Sequence, residues 1–126
     1  MTTYATVTPT LSVGKGYTDV SERHISYYGT LAITTDDYKT GGLTLSFAGV
    51  VPQNDPPVRV EVFSETIIDQ HFFVYLTGTT SANGLLAILS SNTGAVNAEV
   101  TGDATVPTEV SGDAALRFKA TFIKGR

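Results

Sequence analysis

The sequence predicts an all-β domain, and three observations carry that reading. In residues 115–123, Leu116, Phe118, Ala120 and Phe122 alternate with Arg117, Lys119, Thr121 and Ile123, which sets one row of side chains on a buried face and the other in water. No window sustains apolar residues at three-and-four spacing for the ~11 residues of an ordinary helix. The 12 glycines fall largely between apolar runs, beside Asn, Ser and Thr, where tight turns need positive φ. The 126 residues have the length of one domain. The expected architecture is a single-domain antiparallel β-sandwich, jelly-roll-like, with about eight strands.

The strands are expected at 5–13, 24–34, 43–48, 58–64, 71–77, 85–91, 95–101 and 115–123. The first two are rich in Thr, Val, Ile and Tyr, which suit a pleated, half-buried surface. The third follows the turn Thr40-Gly41-Gly42. Pro56-Pro57 cannot donate to a ladder, so the fourth starts after it and its alternation buries Val58, Val60 and Val62. His71-Phe72-Phe73-Val74-Tyr75-Leu76 and Leu85-Leu86-Ala87-Ile88-Leu89 are apolar on both faces, the pattern of central strands whose second face lies under a long loop or a partner subunit. Asn83-Gly84, Asn92-Thr93-Gly94 and Ser111-Gly112-Asp113 mark the turns before the last three strands. Residues 14–22 and 102–112 are polar and read as loops. Residues 1–22 form an N-terminal strand and arm region, and 23–126 the sandwich.

Formal net charge is −4, and no Lys or Arg occurs between Arg59 and Arg117, a stretch with seven acids. Such a surface repels phosphate backbones, so no nucleic-acid partner is expected. The absence of Cys removes disulfides, thiolate metal sites and a Cys nucleophile. The opening Met1-Thr2-Thr3-Tyr4-Ala5-Thr6 has neither the basic start nor the apolar run of a secretory signal, and no segment approaches the ~20 apolar residues of a membrane span. No membrane partner is expected.

Reactive constellations are scarce. His24 and His71 are the two imidazoles, short of the paired His and carboxylates that a cupin-like metal site requires. Asp36-Asp37, with Asp55 or Asp69, imitates a carboxylate pair, but adjacent acids point apart when extended. There is no Gly-x-Ser-x-Gly elbow, and Gly14-Lys15-Gly16 lacks the rest of a phosphate loop. No catalytic, cofactor or metal site is expected, and the chain reads as a non-enzyme. Tyr17, Tyr27, Tyr28 and Tyr38 offer a sugar-stacking platform, which makes a carbohydrate-binding sandwich, such as a fibre head, the alternative function.

The stretch Arg23-His24-Ile25-Ser26-Tyr27-Tyr28-Gly29-Thr30-Leu31-Ala32-Ile33, followed by Tyr38-Lys39-Thr40-Gly41-Gly42-Leu43-Thr44-Leu45, resembles the small capsid decoration, or cement, proteins encoded beside the major capsid protein in tailed bacteriophages. Pro57-Val58, Asn83-Gly84-Leu85 and the closing Leu116, Phe118, Ala120 and Phe122 extend the resemblance over residues 23–125. It implies a homotrimeric sandwich without an active site, made in the host cytoplasm, that binds the major capsid protein on the outer surface of the virion. Within that reading Phe73, Tyr75, Leu86 and Ile88 are expected at the oligomer interface, and Tyr4, Val7, Leu11, Lys15 and Tyr17 at the capsid contact.

Overall fold

The computed structural model of the chain describes residues 3–12, 18–21, 23–64, 71–90, 98–100, 102–112 and 116–124. Among them are nine strands and one helical turn: β1 (Val7–Leu11), β2 (Thr18–Val20), β3 (His24–Ile33), β4 (Leu43–Leu45), β5 (Arg59–Ser64), β6 (His71–Leu76), β7 (Gly84–Ser90), β8 (Ala98–Glu99), α1 (Thr108–Ser111) and β9 (Leu116–Ile123). They form two antiparallel sheets. In the larger, β3 pairs with β9 and β9 with β5, while β1 and β2 lie end to end along the other edge of β3. In the smaller, β7 is central, β6 lies on one side, and β4 and β8 lie end to end on the other. The pairings β3 with β9 and β4 with β7 nest outer strands around inner ones, as a rolled-up hairpin does in a jelly roll.

The inner faces meet in one core. Leu116, Phe118, Ala120 and Phe122 point inward from β9, as the alternation requires, and Arg117, Lys119, Thr121 and Ile123 point out. Phe47 stands at the centre, with its ring 5.4 Å from Phe118, 5.8 Å from Phe122 and 6.4 Å from Tyr75 between centroids. Leu43 and Leu45 from β4 and Leu86 and Ile88 from β7 close the opposite wall. Gly29 lets β1 and Phe118 approach: a Cβ there would lie 2.1 Å from the Thr10 carbonyl oxygen and 2.6 Å from the Phe118 ring.

Several expectations are corrected. The strand expected at 5–13 is present as residues 7–11 and belongs to the larger sheet, with Ala5 and Val7 in the core. The polar 14–22 segment contributes β2, held to β3 by Thr18↔Tyr27 and Val20↔Ile25. The 102–112 loop contains α1, which buries Val110 beside Val106. Among the described strands β6 lies at the edge of its sheet and not at its centre. Val58 precedes β5 and is exposed, because this edge leaves its side chain uncovered, whereas Val60 and Val62 pack against the core. Asn83-Gly84 lies at a turn as expected, but Gly84 starts β7 without a positive φ. The connection spans residues 77–83, and Asn83 caps it: its Oδ1 accepts from the Thr79 and Thr80 amides at 2.9 Å each, and its Nδ2 donates to Thr79 Oγ1 at 2.7 Å. Residues 91–97, with the Asn92-Thr93-Gly94 turn, lie outside the described residues.

Candidate functional site

The four residues expected at an oligomer interface face the wrong way for that role. Leu86 and Ile88 have no exposed surface, and Phe73 and Tyr75 pack against the same core. A strand that is apolar on both faces gives no parity signal, and the alternation runs opposite to expectation: Phe72, Val74 and Leu76 point outward, 49 %, 41 % and 44 % exposed. The register pairs Phe72 with Leu89, Val74 with Ala87 and Leu76 with Leu85. Those six residues make a continuous outer face on the smaller sheet, and none of them is charged.

The outer face of the larger sheet is its opposite in character. Arg117 and Lys119 of β9 stand beside Arg59, Glu61 and Phe63 of β5 and beside Tyr28 and Thr30 of β3. Arg59 Nη2 reaches Glu61 Oε1 at 2.6 Å, and Lys119 Nζ lies 5.5 Å from the Tyr28 ring centroid. The fold thus collects three basic residues that the sequence separates by up to sixty positions. On a chain of net charge −4 this makes a local positive field.

The expected capsid-contact residues do not form one surface. Val7 is buried and Leu11 packs against the core, because β1 belongs to the sheet. Tyr4 is exposed, donates to Asp103 Oδ1 at 2.9 Å and lies 5.8 Å under Lys39 Nζ; that bond holds the Tyr4 hydroxyl pKa above its ordinary value. Lys15 and Tyr17 lie outside the described residues. The sugar-stacking platform is not assembled either. Tyr27 is buried, edge-on to Phe122, with its hydroxyl donating to Gln53 Oε1 at 3.0 Å; Tyr38 has no exposed surface; and Tyr28 sits under Lys119.

Tyr38 is a structural polar centre that no local motif announces. β4 pairs with residues 84–86 of β7 and β8 with residues 89–90, which leaves a gap in the ladder. The Tyr38 hydroxyl fills it, accepting from the Ile88 amide at 3.2 Å and donating to Glu99 Oε2 at 2.5 Å. The same Glu99 oxygen accepts from the Gly41 amide at 2.7 Å, in the Gly41-Gly42 turn where φ is +96° and +124°. Burial first, and then the bond to the carboxylate, drive the Tyr38 pKa far above its ordinary value. The Tyr75 hydroxyl is buried over Gly84, where a Cβ would lie 2.0 Å from it, and no hydrogen-bond partner reaches it among the described residues; burial raises its pKa as well.

His24 begins β3 and His71 begins β6, in different sheets, and no three His, Asp or Glu side chains converge on a common point among the described residues. Asp36 and Asp37 serve the fold through their backbones, which bond to Val106, Thr3 and Ala5. Asp69 lies outside the described residues. A groove of about 560 Å³ opens where the chain enters β5, lined in part by Gln53, Asp55, Pro57 and Ile123 over a floor of buried Phe122. Gln53 is committed to Tyr27, and the lining contains no imidazole. No described helix is long and apolar enough to cross a membrane. Comparisons of the chain with protein-family models, with curated proteins and with solved structures find no match.

Proposed function

We propose that this chain is a capsid decoration protein: a homotrimer that binds the major capsid protein at junctions between capsomers on the outside of an icosahedral phage head and stabilises the expanded shell. The observation that carries this reading is the pairing, on one two-sheet frame, of a largely apolar outer face, with Glu99 at its margin, and a basic one. Surfaces of that kind are suited to adhesion. The sequence resemblance over residues 23–125 supplies the particular setting.

A ligand that binds only the expanded shell stabilises it by RT ln(1 + [L]/Kd), about 2.7 kcal/mol per site when free protein stands at a hundred times Kd. Three linked copies raise the effective concentration for the second and third contacts. The basic face of Arg59, Arg117 and Lys119 would steer the trimer to acidic capsomer walls, a contribution that weakens as salt rises. Co-sedimentation with shells of the major capsid protein, before and after expansion, tests this. Saturable binding to the expanded form is expected, and the absence of binding to either form overturns the reading.

A further inference from the structure

Asn83-Gly84 is a dipeptide that the fold requires and that its own chemistry makes labile. Asn83 is exposed and closes the 77–83 connection with three bonds: its Oδ1 accepts from the Thr79 and Thr80 amides, and its Nδ2 donates to Thr79 Oγ1. Gly84 opens β7 without a positive φ, so backbone conformation does not demand glycine there. A close approach does, because a Cβ at this position would run into the Tyr75 hydroxyl and ring. Two separate structural demands thus set a carboxamide directly before a residue with no side chain, where the next amide nitrogen reaches the carboxamide carbon unhindered. The other asparagines precede Asp55, Thr93 and Ala98, whose Cβ atoms crowd that approach.

We propose that Asn83 is a latent site of spontaneous deamidation, shielded while its cap is closed and open to reaction when the 77–83 connection unfolds locally. The Gly84 amide nitrogen gives up its proton and bonds to Asn83 Cγ, the Cγ–Nδ2 bond breaks, and the departing nitrogen takes up a proton and leaves as ammonia, which closes a five-membered imide. Water then opens the ring. Cleavage at Cγ yields aspartate, and cleavage at the main-chain carbonyl carbon yields isoaspartate, in which the backbone runs through the former side chain. Bringing Cγ to the Gly84 nitrogen means turning the carboxamide out of its cap. Gly78 packs against the same group, since a Cβ there would collide with Asn83 Oδ1 and its carbonyl, and Gly84 is held in register with Leu45 of β4. Opening an exposed connection costs less than unfolding the domain, so the cap slows the reaction without abolishing it. The products differ in consequence: aspartate keeps acceptors for the Thr79 and Thr80 amides, whereas isoaspartate adds a carbon to the backbone just before Gly84 and displaces it from Tyr75.

Peptide mapping by mass spectrometry tests this on the full chain, incubated at mildly alkaline pH either native or unfolded in guanidinium chloride; the mass gain of amide-to-acid conversion is followed at each asparagine. In the unfolded chain Asn83 should convert ahead of Asn54, Asn92 and Asn97. In the native protein its rate should fall at least about tenfold, the equivalent of an opening that costs ~1.4 kcal/mol. Thr79→Val removes the Nδ2 acceptor at an exposed position and should raise the native rate about fivefold, the share of one hydrogen bond, while leaving the unfolded rate unchanged. Equal native and unfolded rates at Asn83, faster conversion of another asparagine in the unfolded chain, or a native Thr79→Val rate no higher than that of the unaltered protein would each overturn the proposal.

Discussion

Replacing Tyr38 with Phe removes one oxygen atom and keeps the ring in the core, so it isolates the hydroxyl that bridges the gap between β4 and β8. Two losses add. The bond to the Glu99 carboxylate contributes about 1.5–3 kcal/mol, discounted toward the lower end because Glu99 is exposed and rehydrates. The Ile88 amide, on a residue with no exposed surface, loses the acceptor that the Tyr38 hydroxyl supplies, which costs about 1–3 kcal/mol. The sum is about 3 kcal/mol, a large share of the ~5–15 kcal/mol that holds a domain folded. For a chain of this length that corresponds to a fall of about 10 °C in Tm. Glu99→Gln retains an acceptor for both donors and should cost about 1 kcal/mol, and the double variant should cost less than the sum, since both changes break one network. Urea unfolding followed by circular dichroism and tyrosine emission reads these differences; the chain has no Trp to obscure the signal. A Tyr38→Phe protein melting within about 2 °C of the native one would refute the bridging role.

Alkaline stability should follow the same hydroxyl. The folded-state pKa of Tyr38 is raised, so the neutral phenol is favoured by folding; its contribution is complete below the unfolded value near 10 and is lost as pH climbs above it. The unfolding midpoint should be flat up to about pH 10 and drop beyond, less steeply in Tyr38→Phe, and equal slopes would contradict the assignment. Gly29→Ala should cost about 3 kcal/mol or more, because a methyl group there meets the Thr10 carbonyl and the Phe118 ring; a urea midpoint unchanged from native would show that β1 yields without penalty. Tyr75→Phe should be neutral or stabilise by about 1 kcal/mol, since it deletes a buried hydroxyl with no partner among the described residues, and a loss of more than ~1 kcal/mol would reveal a hydrogen bond there. Lys119→Glu should weaken shell binding several-fold at low salt and little at high salt, with stability held within ~0.5 kcal/mol; equal effects at both salts would remove the basic face from the contact.

The larger sheet was legible in the sequence where one face is polar. In β9 the alternation of Phe118 and Phe122 with Lys119 and Thr121 gives both the strand and its orientation. In β6 the strand was legible and its orientation was not. Phe72 and Phe73 are equally apolar, and parity is settled by the connection at residues 77–83 and by Tyr75 fitting over Gly84, neither of which periodicity reports. That single ambiguity placed the expected interface on the core side. β2 was missed because three residues cannot display a period, although Thr-Asp-Val already carries two β-branched residues. α1 was missed for the same shortness, yet Pro107 ahead of Thr108 and Glu109 is the usual signature of a helix start. The basic face and the Tyr38 bridge depend on contacts between residues roughly sixty positions apart, Arg59 with Thr121 and Tyr38 with Glu99, so only the folded chain assembles them.

The adhesive role stands most directly on where the protein resides. Quantitative mass spectrometry of purified particles, with and without prior surface biotinylation, counts copies per head and reports whether they lie outside. A fixed copy number that is a multiple of three per capsomer junction, labelled on Lys39, is the predicted result. Particles of full stability that contain none of the protein would contradict it.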